Sequence, residues 1–283
     1  MTTTANAAQF DAWNGDSGLR WVATADRRDH VLAPVAEALL AAAALTVGTD
    51  VVDVGCGCGA TTLTAATKIG RTGLATGIDL SAPMLDVARQ RAAATGATNT
   101  GFVQGDAQTH PFQPGSVDLI ISRFGTMFFS DPETAFTNIG AALRPGGRLC
   151  LATWQPLAAN QWLTAPGAAV LHCAEMPASA PNEPGMFGQS DPDLVTGTLR
   201  AAGYTDIRLE AREIALELGE TVDAAVDYLT DSGPGRALLE AIPEGPDRDA
   251  ALADVRDVMA EHQEDSCVRL GGGIWIITAI RTD

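Results

Sequence analysis

One short segment, residues 51–62, constrains the fold more than any other part of the chain. Its sequence is VVDVGCGCGATT, which joins an apolar strand to a helix through a loop with three glycines. Glycine lets a backbone turn sharply and approach a ligand without a Cβ in the way, and the first turn of the following helix offers unpaired N–H groups. The segment therefore predicts a loop that holds a nucleotide-like ligand.

Three carboxylates indicate what kind of nucleotide this loop could bind. Asp53 precedes the first glycine, where its charge would repel a pyrophosphate but suits the ammonium group of a cofactor that carries an amino acid. Asp79 lies 20 residues after Gly59, the spacing at which an acid accepts hydrogen bonds from a ribose diol. Asp106 follows a third strand, where an acid can bind the amino group of adenine. The loop also fits the dinucleotide fingerprint, so a nucleotide-dependent oxidoreductase is an alternative.

Strand and helix patterns alternate along the middle of the chain. A helix is expected over residues 30–45, and residues 11–28, which contain two tryptophans, are expected to cover a site. We predict strands over 51–54, 73–78, 102–104, 117–122 and 148–154, and between them helices over 61–69, 82–94 and 132–143. This order indicates a doubly wound α/β fold with a parallel sheet.

The pattern changes after residue 154. We expect residues 155–190, with five prolines, to be mostly loop, and then a helix over 191–202, a strand over 207–218, helices over 221–242 and 247–264, and a strand over 268–280. These patterns predict a division of the whole chain into three units: an N-terminal cover (1–29), a cofactor-binding core (30–155), and a helical substrate lid with the closing strands of the same sheet (156–283). Residues 1–8 are small and polar and are expected to bury nothing.

Composition disfavours several partners. A net charge of -17 makes nucleic acid a poor partner, because phosphate contacts need clustered Lys and Arg. No apolar run is long enough to cross a bilayer, and the N-terminus lacks the basic start and apolar run of a signal peptide. Five cysteines, an odd number, favour reduced thiols and a cytoplasmic location. Cys56 and Cys58 have no second ligand pair at metal-site spacing, so no metal is predicted.

Together these motifs resemble those of the class I S-adenosylmethionine-dependent methyltransferases, in particular the small-molecule branch similar to ubiquinone and menaquinone methyltransferases. The resemblance is carried by VDVGCGCG at 52–59, GIDLSAPML at 77–85, GDAQ at 105–108, SVDLIIS at 116–122 and LRPGG at 143–147. It implies a Rossmann-like sheet of seven strands with a reversed final hairpin, S-adenosyl-L-methionine as cofactor and a small molecule as substrate. A homodimer, and a non-catalytic binding protein that kept the fold, both stay open.

The resemblance also assigns roles to particular residues. It implies that residues 55–59 hold the methionine moiety with Asp53 near its amino end, that Asp79 takes the ribose, and that Asp106 takes the adenine edge. The full set implied to contact the cofactor is Asp53, Gly55, Cys56, Gly57, Gly59, Asp79, Leu80, Met84, Asp106, Ala107 and Ser122.

Substrate contacts are expected from the cover, from the loop after the fourth strand and from the lid. These regions concentrate large apolar side chains, namely Trp13, Trp21, Phe124, Met127, Phe128, Trp162, Met186 and Phe187. Such a lining predicts a small, largely apolar or aromatic metabolite, for example a natural-product intermediate or a quinone-like ring. Arg123 could pair with a substrate carboxylate or support the lid.

A general base is optional for methyl transfer, because the reaction mainly needs the nucleophile to be held close to the methyl carbon and in line with it. If a base is used, His110 and His172 are the first candidates, with His30 and Glu175 behind them. Whether a carbon, nitrogen or oxygen atom accepts the methyl group does not follow from the sequence.

Overall fold

The framework of the chain is one sheet, which the computed structural model shows with its surrounding helices for residues 6–170 and 183–282. Five strands run parallel, namely β1 (Val51–Val54), β2 (Ala75–Asp79), β3 (Thr100–Gln104), β4 (Val117–Arg123) and β5 (Leu143–Trp154). The last strand, β8 (Cys267–Arg281), runs antiparallel to β5 and to β6 (Tyr204–Gly219). The order is β3-β2-β1-β4-β5-β8-β6, and the two-residue β7 (Gln263–Glu264) pairs with the start of β8. Apart from β7, the predicted doubly wound sheet with a reversed final hairpin is confirmed.

Helices cover both faces of the sheet, because alternate residues of each buried strand point to opposite sides. On one face, Leu119 and Ile121 of β4 share a buried cluster with α4 (Ala33–Ala42) and α5 (Ala60–Ile69). On the other face, Ile120 of β4 shares a cluster with α7 (Pro132–Ala141) and α9 (Pro192–Ala201). Helix α6 (Ala82–Thr95) connects β2 to β3. All parallel strands therefore end at the same edge of the sheet, where the loops that follow them meet.

The segment predicted to be a cover forms three short helices, α1 (Ala7–Asn14), α2 (Asp16–Ala23) and α3 (Ala25–Val31). The single helix expected over residues 30–45 is wrong, because α3 ends and α4 begins on either side of Leu32. Pro34 occupies the first turn of α4, and a proline at that point cannot continue a preceding helix. The predicted domain boundary between residues 29 and 30 falls inside α3 and remains a prediction.

The C-terminal part of the chain adds further helices to the closing strands, namely α8 (Gln161–Val170), α10 (Val222–Asp231), α11 (Gly233–Glu240) and α12 (Pro246–Glu261). Two expectations are wrong here: the stretch expected to be loop contains α8, which includes Pro166, and the helix expected over 221–242 is two helices. Ser232 separates them, with an extended backbone (ψ 147°) and a hydroxyl that accepts the N–H of Gly235 at 3.2 Å. Across residues 6–170 and 183–282, no helix is long and apolar enough to cross a membrane.

Candidate active site

The carboxyl ends of the parallel strands open into one cavity of about 920 Å³. Its lining comes from the loops after β1 to β4, from α1, α2, α3 and α8, and from the junction between α10 and α11. Small-molecule sites typically measure about 300–1,000 Å³. The cavity lies near the upper end of that range, as expected for a site that takes two ligands together.

The glycine loop after β1 forms one wall of the cavity. Gly55, Cys56 and Gly57 line it, and Gly57 has a left-handed backbone (φ 53°) that favours glycine. Gly59 is implied to contact the cofactor but does not line the cavity. It precedes α5 with a φ of 82°, and a Cβ at this position would lie 2.8 Å from the Cβ of Ala88. Gly59 therefore serves the close packing of α5 against α6.

Asp53 is a buried carboxylate of β1. It is 1% exposed, lines the cavity and accepts a hydrogen bond from the Thr62 hydroxyl, with 2.6 Å between Oγ1 and Oδ2. Burial raises the pKa of Asp53 to about 7, although the Thr62 bond and the Arg123 guanidinium oppose that rise. A cation beside this carboxylate would favour its ionised form, so the position suits an ammonium group.

Asp79 ends β2 and holds the glycine loop in place. Its Oδ2 accepts the N–H of Gly57 at 2.7 Å, and its Oδ1 accepts the N–H of Ser81 at 2.8 Å. Burial raises the pKa of Asp79, and these backbone donors oppose the rise. Ser81, not Asp79, caps α6, since its hydroxyl accepts the N–H of Met84 at 3.4 Å. Asp79 also lines the cavity, so its remaining lone pairs can serve a ligand.

Asp106 follows β3 and is tied to the N-terminal part of the chain. Its Oδ1 accepts hydrogen bonds from Asn6 Nδ2 and from the N–H of Gln108, both at 2.9 Å. Its Oδ2 is buried and has no hydrogen-bond partner among the described residues. Asn6 is 4% exposed, and its Oδ1 accepts the N–H of Ser130 at 2.9 Å. The expectation that residues 1–8 bury nothing is therefore wrong.

The cover is docked on the end of β2 and the start of α6. Asn14 Nδ2 donates to the carbonyl of Leu80, and Asn14 Oδ1 accepts the first N–H of α6, both at 3.0 Å. The Ser81 hydroxyl donates to the carbonyl of Trp13 at 2.6 Å. The rings of Trp13 and Trp21 meet edge to face, with 5.8 Å between centroids. The cover is thereby held across the part of the cavity that contains Asp79.

The opposite end of the cavity is apolar and aromatic. Phe124 stacks on Trp154 with 4.3 Å between ring centroids, and Trp162 lies 5.5 Å from Trp154. Phe124 has a left-handed backbone (φ 67°), which is strained for a bulky side chain. Every residue predicted to contact the substrate lines the cavity, namely Trp13, Trp21, Phe124, Met127, Phe128, Trp162, Met186 and Phe187.

Most residues implied to contact the cofactor also line this cavity, namely Asp53, Gly55, Cys56, Gly57, Asp79, Leu80, Met84, Asp106 and Ala107. Ser122, like Gly59, does not. It is fully buried, and its hydroxyl donates to the carbonyl of Val54 at 2.7 Å and accepts the N–H of Gly125 at 3.1 Å. Ser122 therefore joins the loops after β1 and β4 instead of facing a ligand.

No histidine in the described part of the chain lines the cavity. The ring of His110 packs edge to face on Phe112 with 4.7 Å between centroids, so its predicted role as a base is not supported. His30 is largely exposed and lies 3.9 Å from the carboxylate of Glu217. The other two candidates, His172 and Glu175, lie outside the described residues.

The sequence indicates no role for Asp29 or Arg28 and leaves two open for Arg123. Asp29 of α3 is held between Arg123 of β4 and Arg91 of α6, with N–O distances of 2.8 Å to each. Arg123 thereby contacts the cover, while the two roles considered for it, pairing with a substrate carboxylate and support of the lid, stay predictions. Arg28 and Tyr228 also line the cavity. Only the tertiary packing of α3 and α10 brings these residues to the site, and nothing in their local sequence marks them.

Comparison with known proteins identifies the class to which this fold and site belong. A family profile described as a methyltransferase domain matches residues 51–147. The nocamycin O-methyltransferase of Saccharothrix syringae is 31% identical over 238 residues, which cover 80% of this chain and 84% of that protein. The chain belongs to the S-adenosylmethionine-dependent methyltransferases.

Two further proteins are similar to this chain, one to part of its sequence and one to its fold. The demethylmenaquinone methyltransferase of Staphylococcus aureus is 38% identical over 110 residues, which cover 38% of this chain and 45% of that protein. Phosphoethanolamine N-methyltransferase 2 of Haemonchus contortus, solved with phosphomonomethylethanolamine and S-adenosylhomocysteine, matches with a TM-score of 0.58 at 16% identity, over 100% of this chain and 61% of that one. At this identity the likeness shows the fold alone. The predicted enzyme class and its cofactor, S-adenosyl-L-methionine, are confirmed, and no comparison supports an oxidoreductase.

Proposed function

We propose that the enzyme methylates a carbon, nitrogen or oxygen atom of a small, largely apolar or aromatic metabolite, such as a natural-product intermediate, in this cavity. One observation carries the proposal: the same cavity joins three buried or half-buried carboxylates, Asp53, Asp79 and Asp106, to an aromatic wall. The first part suits a polar, cationic cofactor and the second an apolar substrate. The likeness to a nocamycin O-methyltransferase supports a natural-product substrate.

The residues present fit the cofactor. Oδ2 of Asp106 is a buried acceptor with no described partner, and the amino group of adenine would satisfy it. Asp79 keeps lone pairs for a ribose diol beyond its two backbone bonds. Asp53 would gain a partner in the ammonium group of the methionine moiety, and Leu80 and Met84 would contact a face of the adenine.

When bound, the cofactor supplies a methyl group on a sulfonium, which is already an activated electrophile. The protein has to hold the nucleophile close and aligned, an effect that contributes up to roughly 7–11 kcal/mol in favourable cases. The aromatic wall of Phe124, Trp154 and Trp162 would orient an apolar substrate by contact, and the docked cover would exclude water. We assign the rate enhancement chiefly to positioning; among the described residues no histidine lines the cavity, and a base role for His172 stays a prediction.

Three further expectations belong to this proposal. The predicted cover, core and lid all contribute residues to the cavity, and their division at residues 29 and 155 stays a prediction. Buried free thiols favour a reducing, cytoplasmic compartment, namely those of Cys56, Cys58, Cys150 and Cys267. The net charge of -17 disfavours nucleic acid as a partner. A homodimer stays open, and sedimentation velocity would decide it.

Isothermal titration calorimetry tests the cofactor part of the proposal. We expect S-adenosylhomocysteine to bind with micromolar affinity and NAD not to bind. Asp106→Asn should weaken S-adenosylhomocysteine binding by about tenfold or more, because an amide would present a donor to the adenine amino group. Asp86→Asn, on an exposed carboxylate of α6, is the matched control. Binding of NAD without binding of S-adenosylhomocysteine would refute the proposal.

A transfer assay tests the substrate part. The enzyme is incubated with methyl-tritiated S-adenosylmethionine and a metabolite extract. The labelled products are then separated, and their masses are determined by mass spectrometry. We expect label in a small product that partitions into organic solvent. Label confined to nucleic acid or protein fractions would contradict the proposed substrate class.

A further inference from the structure

Arg28 is a buried cation without an acidic partner in the cavity wall. It is 8% exposed and lines the cavity, and its guanidinium lies 4.6 Å above the ring of Trp21. Its Nε donates to the Thr24 hydroxyl at 2.7 Å, and its Nη2 donates to the carbonyl of Asp231 at 2.8 Å. No described residue accepts a hydrogen bond from Nη1, and no described carboxylate forms an ion pair with the guanidinium. Buried charges in proteins are normally paired.

The neighbouring arginines are all paired, which sets Arg28 apart. Arg27 lies 3.8 Å from the carboxylate of Asp231, and Arg236 lies 3.6 Å from that of Glu240. Asp29, the acid next to Arg28 in sequence, is already held at 2.8 Å by arginines of β4 and α6. The chain has 35 acidic residues against 18 basic ones, so partners for arginine are plentiful. In the described part of the chain this cavity-lining guanidinium nevertheless has no carboxylate at ion-pair distance, although the charge of Asp231 acts on it from further away.

Within the part of the chain that the structure describes, one further free donor, the N–H of Gly233, belongs to a turn next to the carbonyl that Arg28 binds. The first turn of α11, residues 232–235, lines the cavity and directly follows Asp231, whose carbonyl Arg28 binds. The N–H of Gly233 has no acceptor among the described residues, and a Cβ built on Gly233 would meet no atom within 4 Å. Gly233 supplies the one N–H of this turn that no described group accepts, because Pro234 has none and the N–H groups of Ser232 and Gly235 are already hydrogen-bonded. The dipole at the start of a helix is positive and favours negative charge. Arg28 and Gly233, whose N–H is free of described partners, therefore both line the cavity.

On the basis of the methyltransferase function proposed above, we propose that Arg28, assisted by the N–H of Gly233, binds an anionic oxygen group of the substrate, either a carboxylate or an ionised enol or phenol. The guanidinium would recognise one end of an otherwise apolar molecule. Capping of the last carbonyl of α10 uses only Nη2 of Arg28, and the Thr24 bond uses only Nε. A purely structural role would therefore leave Nη1 without a function, whereas a bound anion uses it in a charge-assisted hydrogen bond.

Two fluorescent probes that share one skeleton test this site without knowledge of the substrate. 8-Anilinonaphthalene-1-sulfonate carries an anionic oxygen group, and N-phenyl-1-naphthylamine has the same rings without it. We expect Arg28→Gln to weaken binding of the sulfonate by about tenfold or more and to leave binding of the neutral probe within about twofold. Arg28→Lys, which keeps the charge, should restore part of the affinity. Arg20→Gln, on an exposed ion pair of α2, is the matched control for loss of one positive charge.

The outcomes separate this inference from its alternatives. If Arg28→Gln weakens both probes equally, Arg28 only supports the packing of α3 on α10, and the inference is wrong. If it weakens neither probe, the cavity does not select for negative charge, and the inference is also wrong. Calorimetry measures whether Arg28→Gln still binds S-adenosylhomocysteine, which shows whether the cofactor part of the cavity is intact. Loss of the probe preference with intact cofactor binding supports the anion site, and absence of cofactor binding in the wild type would instead refute the proposed function.

Discussion

Replacement of Asp53 by Asn is expected to stabilise the cofactor-free protein while weakening cofactor binding. Burial raises the pKa of Asp53 from 3.8 to about 7, so the folded chain disfavours the ionised form of this carboxylate. Each tenfold difference in proton affinity between the folded and the unfolded chain corresponds to about 1.36 kcal/mol. The rise in pKa therefore sets an upper limit of about 4 kcal/mol on the destabilisation at pH values above the folded-state pKa. Because the structure around a buried charge relaxes, we expect a measured difference of about 1–3 kcal/mol.

The sign of the pH dependence follows from proton binding. Between about pH 4 and pH 7, the folded chain keeps a proton on Asp53 that the unfolded chain has released. The contribution of this group to stability is therefore complete below about pH 4 and is lost as the pH rises to about 7. Asp53→Asn removes this dependence, while its amide oxygen can still accept the hydrogen bond from Thr62.

Urea unfolding followed by circular dichroism measures the effect. The free energy of unfolding is compared for the wild type and Asp53→Asn at about pH 5.5, 7 and 8.5, with Asp86→Asn as the control for loss of one negative charge. The advantage of Asp53→Asn should grow as the pH rises, and calorimetry should show at least about tenfold weaker binding of S-adenosylhomocysteine. An advantage that does not change with pH, or an Asp53→Asn protein that is the less stable at high pH, would refute the reasoning.

Three other substitutions test the surroundings of the site. Asp79→Ala should weaken S-adenosylhomocysteine binding by about 10- to 100-fold with an unchanged circular dichroism spectrum, because it also frees the N–H of Gly57; an unchanged dissociation constant in calorimetry would argue against the ribose role. Asn6→Ala should speed proteolysis of the N-terminal helices by severing their link to Asp106, and an unaltered cleavage rate would show that the link does not hold the cover. Gly59→Ala should lower the Tm through a loss of about 1–3 kcal/mol, because the new Cβ meets α6 and the φ of 82° is strained; a wild-type Tm would show that α6 can yield.

The parallel strands could be predicted because glycines and carboxylates mark where they end, as at Gly55, Asp79 and Asp106. The helix breaks were missed although the sequence contains their signal. Pro34 and Pro234 each occupy the first turn of a new helix, where proline is favoured, but apolar periodicity continues across both positions. The proline-rich composition of residues 155–190 favours a loop, and it therefore hides α8. Packing against β8 and α12 stabilises a helix there.

The two ends of the site differed in how far they could be predicted. The cofactor end follows from local motifs, and the apolar residues of the substrate end follow from composition. The structure gives no support to the ligand contacts predicted for Ser122 and His110, because backbone groups and a neighbouring ring contact these side chains. Arg28 could not be found from the sequence, since its environment depends on how α3 packs against α10.

The stacked rings of Phe124 and Trp154 constrain how new substrate preferences could evolve on this scaffold. A left-handed backbone at a bulky residue costs about 1–3 kcal/mol, and stacking on Trp154 offsets part of that strain. A smaller residue at Trp154 would enlarge the cavity but leave the strain uncompensated, and the loop after β4 would then be free to relax into the new space. Glycine at Phe124 would remove the strain and the ring together. The two positions are coupled in energy, so a lineage that reshapes this wall gains more from exchanging both residues than from exchanging either one alone.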